Sequence, residues 1–222
     1  MSGWTVAREH GDPGLSLFGA SLRAGAPMTF GHPDGARWGC LEVGCCEADW
    51  LHAAGEAWPE CWFSGIDTRA PCVTERDGRL IRSRADVMES ENFPAATFDA
   101  IVSLSAIEHV GLGHYGDPKD PDGDTKALAN CWRWLKPGGW LYFDVPYAPL
   151  GYAVIGTSHR QYDDDALVNR LMAVRPVAQQ WDMSWIAWAK KDAAGVLVEK
   201  PTTQSRPDNF DHYVAMVWQK AA

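Results

Sequence analysis

The feature that most constrains this chain is a strand closing on a single glycine, followed at a set distance by a strand closing on an acid. WGCLEVG, from Trp38, is an apolar run that ends at Gly44, and WFSGID ends at Asp67, 23 residues further on. Between them ADWLHAAGEA places Leu51, Ala54 and Trp58 at helical spacing, and Pro59 closes the helix. Strand, helix and strand in that order predict a β-α unit of a parallel sheet.

The pattern continues. LIRSRADV reads as a third, less sharply bounded strand, and FDAIVSLSA as a fourth that ends near Ser103. TKALANCWRWL sets Leu128, Cys131, Trp132 and Leu135 on one helical face, with PGG after Lys136 as its stop, and WLYFDVP follows as a fifth strand. HRQYDDDALVNRLM predicts an Asp-capped helix, and WDMSWIAWAK and HYVAMVWQK predict two late strands, an antiparallel pair at the sheet edge. The expected architecture is one α/β domain over residues 37–222: a Rossmann-like, doubly wound, mostly parallel sheet with an antiparallel C-terminal edge. Residues 1–36, Gly- and Pro-rich with weak periodicity, read as a lead-in segment or partial lid.

Composition narrows the function. A formal charge of −9 with no basic block argues against a nucleic-acid partner, because phosphate binding needs clustered Lys and Arg. No apolar run approaches the ~20 residues that cross a bilayer, and the polar opening MSGWTVAREHGD predicts no secretory leader. Six cysteines without CxxC spacing read as free thiols in a reducing cytoplasm. Twelve tryptophans read as core and pocket walls.

In an open parallel sheet, ligands lie beyond the carboxyl ends of the strands, near the point where strand order reverses. Gly44 allows the tight turn and close backbone approach that such a site needs. Asp67 is placed to accept two hydrogen bonds from a ribose diol, the alternative being a cap on the next helix. Asp86, near the end of the third strand, is placed for an adenine amino group. Glu42 is costly to bury without a partner, so it reads either as cofactor-side or as a structural carboxylate bonded to backbone amides.

Glu108 and His109 follow the fourth strand, where an acceptor pocket would open, and a histidine titrating near neutrality suits a general base. His159 competes for that role, with Arg160 and Tyr162 as candidate substrate contacts and Tyr115 as another. Local packing or capping is the structural alternative for Glu108 and His109. The stretch Asp117 to Asp124 has acidic residues around a glycine, as calcium loops do, but lacks the distal Glu. It reads better as a rigid Pro/Asp turn that delivers an acid-capped helix, and no metal is expected. Cys45 and Cys46 read as small packing residues.

Taken in order, LEVGCCEA, GIDTR, RADV, FDAIVSLSAIEHVG and LKPGGWLYFDVP resemble the class I S-adenosylmethionine-dependent methyltransferases, from about Trp38 to Pro146. EHVGLGHYGDPKDPDGD and the later SHRQYDDDAL resemble the DUF268-like branch more specifically. The resemblance implies that Glu42 and Gly44 belong to the cofactor motif, that Asp67 holds the ribose, and that Asp86 with Val87 contacts adenine. It also implies that Ser103 and its neighbours face the methionine part of S-adenosylmethionine. The first motif departs from the family's three alternating glycines, keeping Gly44 and putting Cys46 and Ala48 at the other two positions.

The function so implied is methyl transfer to a small-molecule or carbohydrate-like acceptor, at oxygen or nitrogen. Two rivals remain: a catalytically silent S-adenosylmethionine-binding protein, and an NAD-dependent oxidoreductase, against which the missing G-x-G-x-x-G argues.

Overall fold

Residues 38–46, 49–174, 182–190 and 212–221 are described by a computed structural model; the segment 1–36 lies outside them. The strands are β1 (Gly39–Val43), β2 (Trp62–Asp67), β3 (Val73–Glu75), β4 (Leu80–Arg84), β5 (Phe98–Ser103), β6 (Leu135–Pro146), β7 (Ala153–Ile155), β8 (His159–Gln161), β9 (Asp182–Lys190) and β10 (His212–Gln219). Two helices, α1 (Asp49–Ala57) and α2 (Gly123–Trp134), and a helical stretch over 164–174 accompany them.

Eight strands form one sheet in the order β3-β4-β2-β1-β5-β6-β10-β9. β4, β2, β1, β5 and β6 are mutually parallel, whereas β10 runs antiparallel to both β6 and β9. The doubly wound sheet with an antiparallel C-terminal edge is therefore as its sequence predicts. Strand order reverses beside β1, with β2 on one side and β5 on the other.

Period-two alternation splits the core between the two faces of the sheet. Leu41, Val43, Ile101, Leu141 and Phe143 pack with Leu128, Cys131 and Trp134 of α2 and with Leu167 and Leu171. Cys40, Phe63, Val102, Tyr142 and Val217 face the other way, onto Trp50, Leu51 and Ala54 of α1. A parallel strand buried on both faces needs this near-continuous apolar run, which is why the strands were legible.

Three local features differ from expectation. Between β2 and β4 the chain makes the short edge strand β3, antiparallel to β4, and between β4 and β5 only a 3-10 turn at Ser90–Asn92, so the β-α alternation breaks twice. Helix α2 does not run to the PGG stop. Leu135 is already extended (φ −73°, ψ 132°), and Lys220 Nζ donates to the carbonyls of Trp132 (2.9 Å) and Leu135 (2.7 Å), so a remote lysine satisfies the helix end. HRQ is not helical but strand β8, paired with β7; the helical stretch begins after Asp163, whose Oδ1 accepts from Ala166 N at 2.8 Å.

Candidate active-site cleft

The carboxyl ends of β1, β2, β4 and β5 surround a single cleft of about 570 Å³, part of it open to solvent. Val43 and Gly44 come from β1, Asp67 with Thr68 and Arg69 from β2, and Asp86 and Val87 from just after β4. Ser105, Ala106, His109, Val110, Tyr115 and Asp117 come from the long connection after β5.

Backbone bonds knit these ends together. Gly44 N donates to Ile66 O at 2.9 Å, and Ala85 N to Asp67 O at 3.2 Å. Gly44 has φ +88°, and a Cβ placed on it would lie 2.4 Å from Ala106 Cβ. Both the left-handed backbone and the close packing of the β5 connection demand glycine there. Gly65 has a different reason: a Cβ would come within 2.6 Å of Cys45 Sγ, so the bare backbone of β2 houses the buried thiol. Cys45 thus packs, as its small size predicted.

Asp67 is nearly buried, its side chain 8% exposed. Its Oδ1 accepts from Arg69 N at 2.7 Å and Arg69 Nε at 3.3 Å, so it turns toward the next loop and caps no helix. Asp86 Oδ1 accepts from Met88 N at 2.9 Å; burial, reinforced by Asp117 and Glu89, raises its pKa despite that bond.

The β5 connection carries Ser105, Glu108 and His109. Ser105 has φ +48°, a left-handed conformation rare outside glycine, held by two fully buried carboxylates. Its N–H donates to Asp144 Oδ1 (2.5 Å) and its hydroxyl to Glu108 Oε1 (2.7 Å). Glu108 Oε1 lies 3.7 Å from His109 Nε2, and His109 Nδ1 lies 2.5 Å from Ser158 O. Tyr115 packs edge-on against His109, ring centroids 5.2 Å apart. Asp117, buried, receives the N–H groups of Gly111 (2.6 Å), Gly113 (3.3 Å) and Tyr115 (3.3 Å) and so shapes the loop that presents Tyr115.

Of the residues singled out from sequence, Gly44, Asp67, Asp86, Val87, His109 and Tyr115 meet at this cleft. Glu42, Cys46 and Ser103 do not line it. Glu42 and Ser103 are buried within the sheet, and Ser105 and Ala106 take the place expected of Ser103 because the chain turns two residues later. Glu108, itself off the cleft wall, contacts Ser105 and His109, which line it.

Arg160 and Tyr162 are corrected outright as substrate contacts. Both are fully buried: Arg160 donates to the carbonyls of Val110 (2.6 Å), Asp120 and Pro121, and Tyr162 OH donates to Asp124 Oδ2 at 2.8 Å. Asp124 also receives Arg170 Nε at 2.7 Å, and Arg160 Nε lies 3.6 Å away. These residues lock the loop against α2. His159 is buried behind His109, ring centroids 6.3 Å apart, and burial with His109 nearby lowers its pKa to about 4. A neutral, buried imidazole off the cleft wall is a poor base for an acceptor.

The carboxylates of the Asp117–Asp124 turn are all engaged by protein donors, Asp120 by Lys126 and Asp122 by Arg170. No metal cluster occurs among the described residues. Asp122, at the N-cap of α2, makes no side-chain cap bond; the acid of the first turn is Asp124. Among the described residues no tryptophan lines the cleft, and the buried ones, such as Trp50, Trp134 and Trp218, serve the core. Sequence reasoning missed Thr68, Arg69 and Ser105 as cleft residues and read Asp117 only as part of a turn; for Ser105 and Asp117 the extended β5 connection, with its closely spaced glycines, was the available signal.

Residues 80–174, somewhat under half of the chain, match the family model described as "Caenorhabditis protein of unknown function, DUF268". No curated protein matches. Among solved structures, a 1,6-didemethyltoxoflavin-N1-methyltransferase from Burkholderia thailandensis, with 1,6-didemethyltoxoflavin and S-adenosylhomocysteine bound, is 16% identical (TM-score 0.54), covering 99% of this chain and 81% of that one. An S-adenosylmethionine-dependent methyltransferase from Mesorhizobium loti is 15% identical (TM-score 0.55), with 92% and 98% covered. The [4+2]-cyclase SpnF is 17% identical (TM-score 0.55), with 94% and 82% covered. The shared property is the fold.

Proposed function

We propose that this chain, which has the class I methyltransferase fold and matches the DUF268 model over residues 80–174, binds S-adenosylmethionine and transfers its methyl group to a small-molecule acceptor. The observation that carries the reading is that Gly44, Asp67, Asp86 with Val87, and Ala106 converge on one cleft beside the point where strand order reverses. That is where an α/β sheet takes a nucleoside. Gly44 supports the reading: it lines the cleft, and a side chain there would collide with Ala106 on the facing wall.

Asp67 accepts the ribose hydroxyls, Asp86 the adenine amino group, and Val87 packs on the base. The wall carries three carboxylates against one guanidinium, a balance that favours a cationic ligand. When bound, S-adenosylmethionine supplies an electrophilic methyl group on a sulfonium. The remaining work is alignment, exclusion of water and removal of the acceptor's proton. His109 does the last. Its Nδ1 is committed to the Ser158 carbonyl, so Nε2 is the basic nitrogen, and Glu108 stabilises the imidazolium. No helix among the described residues is long and apolar enough to cross a membrane, which accords with a cytoplasmic enzyme and a dissolved acceptor.

A second reading, S-adenosylmethionine binding without methyl transfer, draws on the cyclase neighbour, since one fold hosts several chemistries. Calorimetric titration with S-adenosylhomocysteine and with NAD tests the cofactor. Binding of the first alone supports the proposal, and binding of NAD alone overturns it. Release of S-adenosylhomocysteine in an acceptor screen then separates transfer from silent binding.

A further inference from the structure

The cleft wall carries an arginine that the nucleoside reading does not use. Asp67 Oδ1 accepts from Arg69 twice, from the backbone N–H at 2.7 Å and from Nε at 3.3 Å. The first bond is a local Asx-type turn that most residues in this position would make, and it aims the carboxylate. The second depends on the arginine side chain.

That side chain is 43% exposed, and in water a long cationic side chain is not ordinarily fixed in one place. Here it is held at its other face: the guanidinium carbon lies 3.8 Å from the centroid of the Tyr115 ring. Tyr115 is itself fixed, its N–H on Asp117 Oδ1 and its carbonyl accepting from Thr68 Oγ1 at 3.3 Å. The loop after β5 thus holds a cation against the acid at the end of β2.

A vicinal diol uses both oxygens of a carboxylate, and Nε already engages one of them. We propose that Arg69, clamped by Tyr115, is an internal competitor for the ribose site, which lowers the affinity for the nucleoside and hastens its release. The inference rests on the cofactor reading above. It predicts that taking away the competing cation improves binding, the opposite of what loss of an ordinary ligand contact does.

The test is calorimetric titration of the full chain with S-adenosylhomocysteine. Arg69→Met should bind it about three- to tenfold more tightly, the scale of a half-exposed ion pair together with a cation–π contact. Arg69→Lys, which keeps the charge without the planar fork, should fall between the two. Wild-type affinity should rise with added salt, as screening weakens the Arg69–Asp67 pair, while that of Arg69→Met stays flat. Tyr115→Leu should tighten binding alone and add nothing in the Arg69→Met background. Unchanged or weaker binding by folded Arg69→Met overturns the proposal, as does the same salt response in both proteins. A wild-type chain that ignores S-adenosylhomocysteine sinks the cofactor reading itself, which is a separate result.

Discussion

His109 Nδ1 lies 2.5 Å from the carbonyl oxygen of Ser158, on the turn between β7 and β8. A carbonyl can only accept, so the proton is on Nδ1 and the lone pair of the neutral ring is on Nε2. Glu108 Oε1, 3.7 Å from Nε2, is buried and already receives the Ser105 hydroxyl. An imidazolium formed by proton uptake therefore finds a negative partner in a poorly solvated place.

His109→Ala should reduce methyl transfer by about 10²–10⁴-fold, the usual span of general-base assistance. S-adenosylhomocysteine affinity should change little. His109→Gln retains hydrogen bonding but takes up no proton at neutral pH. Steady-state kinetics on the Gln variant decide the matter: near-full activity means that the residue only orients the acceptor.

Asp86 offers a trade between stability and binding. Burial raises its pKa above that of an unfolded aspartate, so its ionised form is disfavoured in the folded chain. The folded state then binds the proton more tightly than the unfolded one, and ionisation costs stability as pH rises through the folded pKa. Asp86→Asn, which keeps an acceptor for Met88 N, should raise the melting temperature at neutral pH. The gain should vanish as pH falls through the carboxylate range, while nucleoside affinity falls at neutral pH. A variant less stable than wild type at pH 7 contradicts this account.

Gly44→Ala combines two penalties, a side chain at φ +88° and a 2.4 Å approach to Ala106 Cβ. Together they should cost about 2–5 kcal/mol, from the left-handed backbone and from overpacking. Adding Ala106→Gly removes the steric part alone, so chemical denaturation of the double variant should show partial recovery. Full recovery would mean that the backbone conformation costs nothing.

Arg160 should matter for folding and not for substrate. Arg160→Met removes a buried cation from carbonyls and from Asp124, and breaking such a cluster costs about 3–5 kcal/mol. Denaturant midpoints should fall accordingly, while the KM for the acceptor in protein that remains folded stays within about twofold, since no substrate contact is lost. A large rise in KM with unchanged stability would restore Arg160 to the substrate site.

The sequence by itself determined the order of the parallel strands along the chain and the ends of the first two. Buried parallel strands must be apolar on both faces, so WGCLEVG and FDAIVSLSA are visible as runs, and Gly44 and Asp67 mark the ends of WGCLEVG and WFSGID at a spacing set by one crossover helix. Tertiary structure decided which polar side chains turn toward the cleft. Two residues apart, Ser103 and Ser105 would share a face if the strand continued; instead the strand ends at Ser103, which is buried, and the left-handed turn held by Asp144 and Glu108 leaves Ser105 at the cleft. Arg160, expected as a substrate contact, and Arg69, for which the sequence raised no expectation, are both placed by remote partners. A charged side chain shows its role only once its partners are known, and those partners, Asp124 for Arg160 and Tyr115 for Arg69, lie 36 and 46 residues away in the chain. Contacts over such separations are chosen by packing, and no local pattern records them.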